Sequence, residues 1–77
     1  LLLRNDIRTS SGGIDLLASS GNTIEENTII GNSGGIGLEA LSLGNLIVRN
    51  IVTGNSGEGI YVADAAPAGQ GNRIEFN

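Results

Sequence analysis

Eight carboxylates, four guanidinium groups and one phenol are the ionisable side chains of this 77-residue chain, which contains no His, Cys or Lys. Without imidazole or thiol there is no thiolate nucleophile, no histidine base, no disulfide and no ordinary zinc or copper site. No cofactor is implied. What remains is carboxylate chemistry, and a pair of acids can in principle hydrolyse a glycoside. Two pairs can be drawn, Glu25 with Glu75 and Asp64 with Glu58. Neither is convincing. Glu25 and Glu75 align two repeats apart, about 9.6 Å at strand spacing, with Val48 between them, and a flat strand face implies no cleft. A solvated surface is the expected role of all four. Sugar contacts usually need aromatic faces, and the chain has only Tyr61 and Phe76. A ligand contact would therefore fall to Tyr61 and the stretch from Asp64 to Gly71, with Asp64 and Gln70 as its polar members.

The frame that positions these groups is a repeat. "LLLRNDIRTSSGGIDL", "NTIEENTIIGNSGGIGL", "NLIVRNIVTGNSGEGIYV" and a partial "NRIEFN" align on Asn5, Asn27, Asn50 and Asn77, at steps of 22, 23 and 27 residues. These steps exceed hexapeptide and nonapeptide solenoid repeats and suit a coil of three short strands and three corners. Apolar columns follow: Leu2, Ile24, Ile47 and Ile74; Ile7, Ile29 and Val52; Ile14, Ile36 and Ile60. The third strand alternates, so Leu16, Leu38 and Val62 also face inward while Asp15, Gly37 and Tyr61 face out. Each buried Ile or Leu contributes roughly 1.5–3 kcal/mol, and like-on-like stacking makes these columns the main stabiliser.

Asparagine at the first corner suits left-handed backbone angles, and its amide can bond to the coils above and below. Asn5, Asn27, Asn50 and Asn77 are thus read as structural corners. The Gly-Asn pairs at 21–22, 31–32, 44–45, 54–55 and 71–72 mark other corners needing positive φ, because no helix-opening phosphate motif accompanies them. Beside the asparagines, Arg4, Glu26, Arg49 and Phe76 stack, predicting an exposed ladder of alternating charge. The threonines fall in four different columns, which argues against an ice-binding face. The connection after the third strand lengthens along the chain, so 64–71 is expected to protrude, and Glu58 is a second insertion.

A net charge of −4 opposes nucleic acid and anionic membrane partners, and no stretch approaches a membrane span. The sequence starts at Leu1 and stops within a repeat, so it reads as an excerpt of a longer solenoid with bare β-edges at both ends. Coils are placed at 1–21, 22–44 and 45–71, with a partial coil at 72–77.

The segments "GNTIEENTIIGNSGGIGL", "GNLIVRNIVTGNSGEGIYV" and "GNRIEFN" resemble right-handed parallel β-helix repeats of the pectin lyase-like superfamily. They are most similar to the Asn- and Gly-rich repeats of secreted or surface-attached bacterial proteins. The resemblance implies an all-β solenoid of about three coils of 22–27 residues, in an extracellular or cell-surface setting. It carries over the corner asparagines and the inward aliphatics. The acidic clusters with Arg, Lys or His that serve catalysis in family enzymes have no match here. The expected role is a non-catalytic rigid scaffold, able to stack end to end with copies of itself. The alternative is a polysaccharide-binding or polysaccharide-processing module using Tyr61, Asp64 and Gln70.

Overall fold

The computed structural model describes residues 1–40, 42–63 and 71–77. Of the expected protrusion at 64–71, residues 64–70, with Asp64 and Gln70, lie outside the described residues. Among the described residues ten short strands, β1 (Leu2–Leu3), β2 (Asp6–Arg8), β3 (Ile14–Leu17), β4 (Thr23–Glu25), β5 (Thr28–Ile30), β6 (Ile36–Glu39), β7 (Leu46–Val48), β8 (Ile51–Thr53), β9 (Ile60–Ala63) and β10 (Arg73–Glu75), follow one another. They assemble into three parallel sheets in the orders β1-β4-β7-β10, β2-β5-β8 and β3-β6-β9. Each strand therefore pairs with its equivalent one coil away, as a solenoid of repeating coils requires. The molecule measures 31 × 20 × 17 Å.

Register follows the apolar columns. Leu2 pairs with Ile24, Ile24 with Ile47, and Ile47 with Ile74 in the first sheet. Ile7, Ile29 and Val52 align in the second, and Ile14, Ile36 and Ile60 in the third. The core is Ile14, Ile24, Ile29, Ile36, Leu38 and Ile47, with Ile7, Leu16, Val52, Ile60 and Val62 packed around it. A one-residue slip would turn each set to the surface, so the pattern pins the register.

The corners differ from expectation in one respect. At the first corner the left-handed residue is the one before the asparagine: Arg4, Glu26, Arg49 and Phe76 have φ of 53°, 55°, 55° and 54°. The asparagines themselves do not have positive φ. The reason lies in the coil-to-coil ladder. The left-handed residue still donates its N–H to the next coil, as Arg4 does to the Glu25 carbonyl and Glu26 to the Val48 carbonyl. The following N–H then finds a side chain where a carbonyl would normally serve: Asn5 N–H donates to Asn27 Oδ1, Asn27 to Asn50 Oδ1 and Asn50 to Asn77 Oδ1.

The same rule runs at every corner. Thr9, Gly31 and Gly54 are left-handed, and Ser10 N–H donates to Asn32 Oδ1 and Asn32 N–H to Asn55 Oδ1. Gly21, Gly44 and Gly71 precede a third ladder of Asn22, Asn45 and Asn72. The connection after the third sheet holds a further left-handed pair, Ala18 and Ala40, followed by Ser19, whose N–H donates to Ser42 Oγ. The first two coils accordingly have four left-handed bends each, not three corners.

Candidate functional site

Whether a repeat has chemistry to spare depends on which polar groups its own structure consumes. The buried asparagine amides are bonded through both oxygen and nitrogen. Asn50 Oδ1 accepts the N–H and Nδ2 of Asn27, while its own Nδ2 donates to the Ile24 carbonyl and to Asn77 Oδ1. Asn27 does likewise with Asn5, Leu2 and Asn50. Asn27, Asn32, Asn45 and Asn50 are buried, and pairing of this completeness is what burial of an amide demands.

The arginines are also engaged. Arg4 Nε lies 2.9 Å from Glu26 Oε2, Arg49 pairs with Glu25 and approaches Glu26 at 3.7 Å, Arg8 pairs with Asp6, and Arg73 lies 2.6 Å from Glu75. The Arg4–Glu26–Arg49 ladder is thus formed at the corner between the first two sheets. Glu25 and Glu75 do share a column with Val48 between them, but each is held by a different arginine. That arrangement suits ion pairing and leaves neither acid placed opposite the other across a cleft.

The third sheet is different. Asp15, Gly37 and Tyr61 form its outward column. Gly37 has no side chain, so it is a notch with Asp15 one coil to one side and Tyr61 one coil to the other. The Asp15 carboxylate leans into the notch: its Oδ1 lies 2.7 Å, and Glu39 Oε1 3.9 Å, from where a Cβ on Gly37 would stand. The notch opens into a groove of about 360 Å³ lined by Ser11, Asp15, Glu58, Tyr61 and the glycines of the turns entering the sheet. Two of those glycines, Gly13 and Gly35, are fixed by close backbone approach. A Cβ on Gly13 would overlap the Gly35 carbonyl oxygen, and one on Gly35 would overlap the Gly59 carbonyl oxygen and lie 2.8 Å from Val52 Cγ1.

Tyr61, 43% exposed, is therefore brought to a concave surface with Asp15 and Glu58. Glu58 enters the groove from the insertion before β9. Sequence reading does not single out Asp15 as a candidate, although the outward column of Asp15, Gly37 and Tyr61 places it beside the tyrosine. Among the described residues, no three Asp, Glu, His or Cys side chains come close enough to hold a metal ion.

Against known proteins, a family model described as a right handed beta helix region matches residues 1–77, the whole length of the chain. No match was found among curated proteins or among solved structures.

Proposed function

The chain belongs to the right-handed β-helix family, and we propose that it is a non-catalytic scaffold segment of an extracellular or cell-surface protein. The observation that carries this reading is the use of recurring polar groups within the coil stack. Asparagine amides join coil to coil, and all four arginines are taken up by carboxylates of the first two sheets and their shared corner. Such a stack holds its outer faces at fixed spacing, which is what a rigid spacer supplies.

End-to-end joining of copies is a weaker extension of this reading. The first sheet has four strands and the others three. A second copy laid in register on β10 would face a one-strand gap in both remaining sheets, so continuous pairing is interrupted at each junction. We expect electron microscopy of the chain across a concentration series to show separate small particles. Long fibres with a repeat near 4.8 Å would require the seam to be filled and would make self-stacking the main role.

A second reading is favoured by one observation, the groove that joins Tyr61 to Asp15 across Gly37. There the chain would bind a saccharide, with a sugar ring against the tyrosine face. A glycan array with Tyr61→Ala as control separates the two readings. Binding lost in the variant supports the saccharide site, and an array with no Tyr61-dependent signal leaves the scaffold reading alone.

A further inference from the structure

The four arginines and their partners Asp6, Glu25, Glu26 and Glu75 balance one another. The formal charge of −4 is then carried by the other acids, Asp15, Glu39, Glu58 and Asp64. The three of these that are described lie on the outer side of the third sheet or in the turn leading to it, around the Gly37 notch. No ion pair to any of them occurs among the described residues. The molecule thus presents two electrically balanced sheets and one groove with uncompensated negative charge. An exposed ion pair contributes little singly, but a concave surface lined by one sign of charge selects the sign of its ligand.

We propose that this groove takes an amine-bearing saccharide chain, its ammonium groups facing Asp15 and Glu58, with Glu39 adding negative charge beside the groove, and a sugar ring lying against Tyr61. The inference rests on the saccharide reading above and names its substrate class. A uronate polymer would be repelled by the same acids, and a neutral glycan would leave their charge unanswered. A point cation fits poorly, because the carboxylates are not gathered closely enough to chelate. Asp15 and Glu58 are spaced instead along a groove that runs from the first coil to the third, at about 4.8 Å per coil. A linear polymer with one amine per ring can meet such a row. The tyrosine ring adds a second attraction for ammonium, since its face is negative.

The test is calorimetric titration of the chain with glucosamine oligosaccharides, with their N-acetylated counterparts and with galacturonate oligosaccharides. Binding of the first, at least about tenfold weaker binding of the second and none of the third is the expected result. The double variant Asp15→Asn, Glu58→Gln should weaken glucosamine binding roughly three- to tenfold, and salt raised to about 0.5 M should do the same. Circular dichroism of each variant guards against loss of fold. Equal, Tyr61-dependent binding of acetylated and free-amine oligomers would overturn the charge inference and leave the saccharide reading standing. No Tyr61-dependent binding of any of the three would sink both. Oligolysine binding more tightly than glucosamine oligomers, and unaffected by Tyr61→Ala, would mean a cationic peptide surface and would also overturn the proposal.

Discussion

The corner between the first two sheets and the outer side of the third sheet are built from the same repeat but use it in opposite ways. At the corner each coil repeats the last: a left-handed residue, an asparagine whose amide bonds to its equivalents, and charges that cancel from coil to coil. On the third sheet the outward column changes identity at each step, from Asp15 to Gly37 to Tyr61, and its charge is uncancelled. A position identical in every coil is needed to hold the stack. A position that varies is free of that duty, and the groove forms where variation and bare backbone coincide.

If this contrast is sound, Asn50→Leu should be the most damaging substitution. It leaves the Asn27 N–H without its acceptor, takes one of two bonds from the Asn27 amide, which keeps the Leu2 carbonyl, and removes the side-chain donor to the Ile24 carbonyl in the interior. Each orphaned group costs about 1–3 kcal/mol, so a loss of several kcal/mol is expected in urea denaturation. An unchanged midpoint would remove the ladder from the account. The third sheet has one equally strict feature, its glycine column. Gly35→Ala forces a methyl into the Gly59 carbonyl and Val52, and should cost about 1–3 kcal/mol or more by the same measurement.

Next in size is a comparison within one column. Thr9 holds the left-handed position that Gly31 and Gly54 occupy in the other coils. A β-branched residue is strained there, so Gly31→Thr should destabilise by about 1–3 kcal/mol, whereas Thr9→Gly should be neutral or slightly stabilising. Similar losses in both variants would show that side-chain contacts, not backbone strain, set the preference.

Glu26→Arg, which places like charges at Arg4, 26 and Arg49, should reduce stability by at most about 1 kcal/mol, since these groups are exposed. The loss should shrink in high salt, and a salt-independent change would point away from the ion-pair ladder. Smallest of all, Tyr61→Ala should leave the melting temperature nearly unchanged, because the ring lies outside the core cluster. A large drop would place Tyr61 among the structural residues and close the distinction between the two regions.

Much of this architecture was legible in the chain. Inward positions such as Ile24, Ile47 and Leu38 could be read because a parallel stack puts equivalent residues one above another, so a column in the alignment is a column in space. The asparagine amides were legible for the same reason, although only one of three ladders was recognised. The left-handed residue was misplaced by one position because Asn is a familiar left-handed residue, and nothing in the composition of Arg4 or Arg49 signals positive φ. Only the ladder, which needs an acceptor immediately after the bend, requires that placement.

Sequence by itself determined the coil length, the register and the apolar interior, all of which follow from periodicity along the chain. Tertiary structure decided what periodicity does not encode, namely which charges cancel and which remain. Arg49 reaches Glu25 and Glu26 in the preceding coil, while the Asp15 and Glu39 carboxylates both turn toward Gly37. Such pairings depend on the distance between side chains on neighbouring coils, fixed only once the backbone has turned four times and closed upon the previous coil.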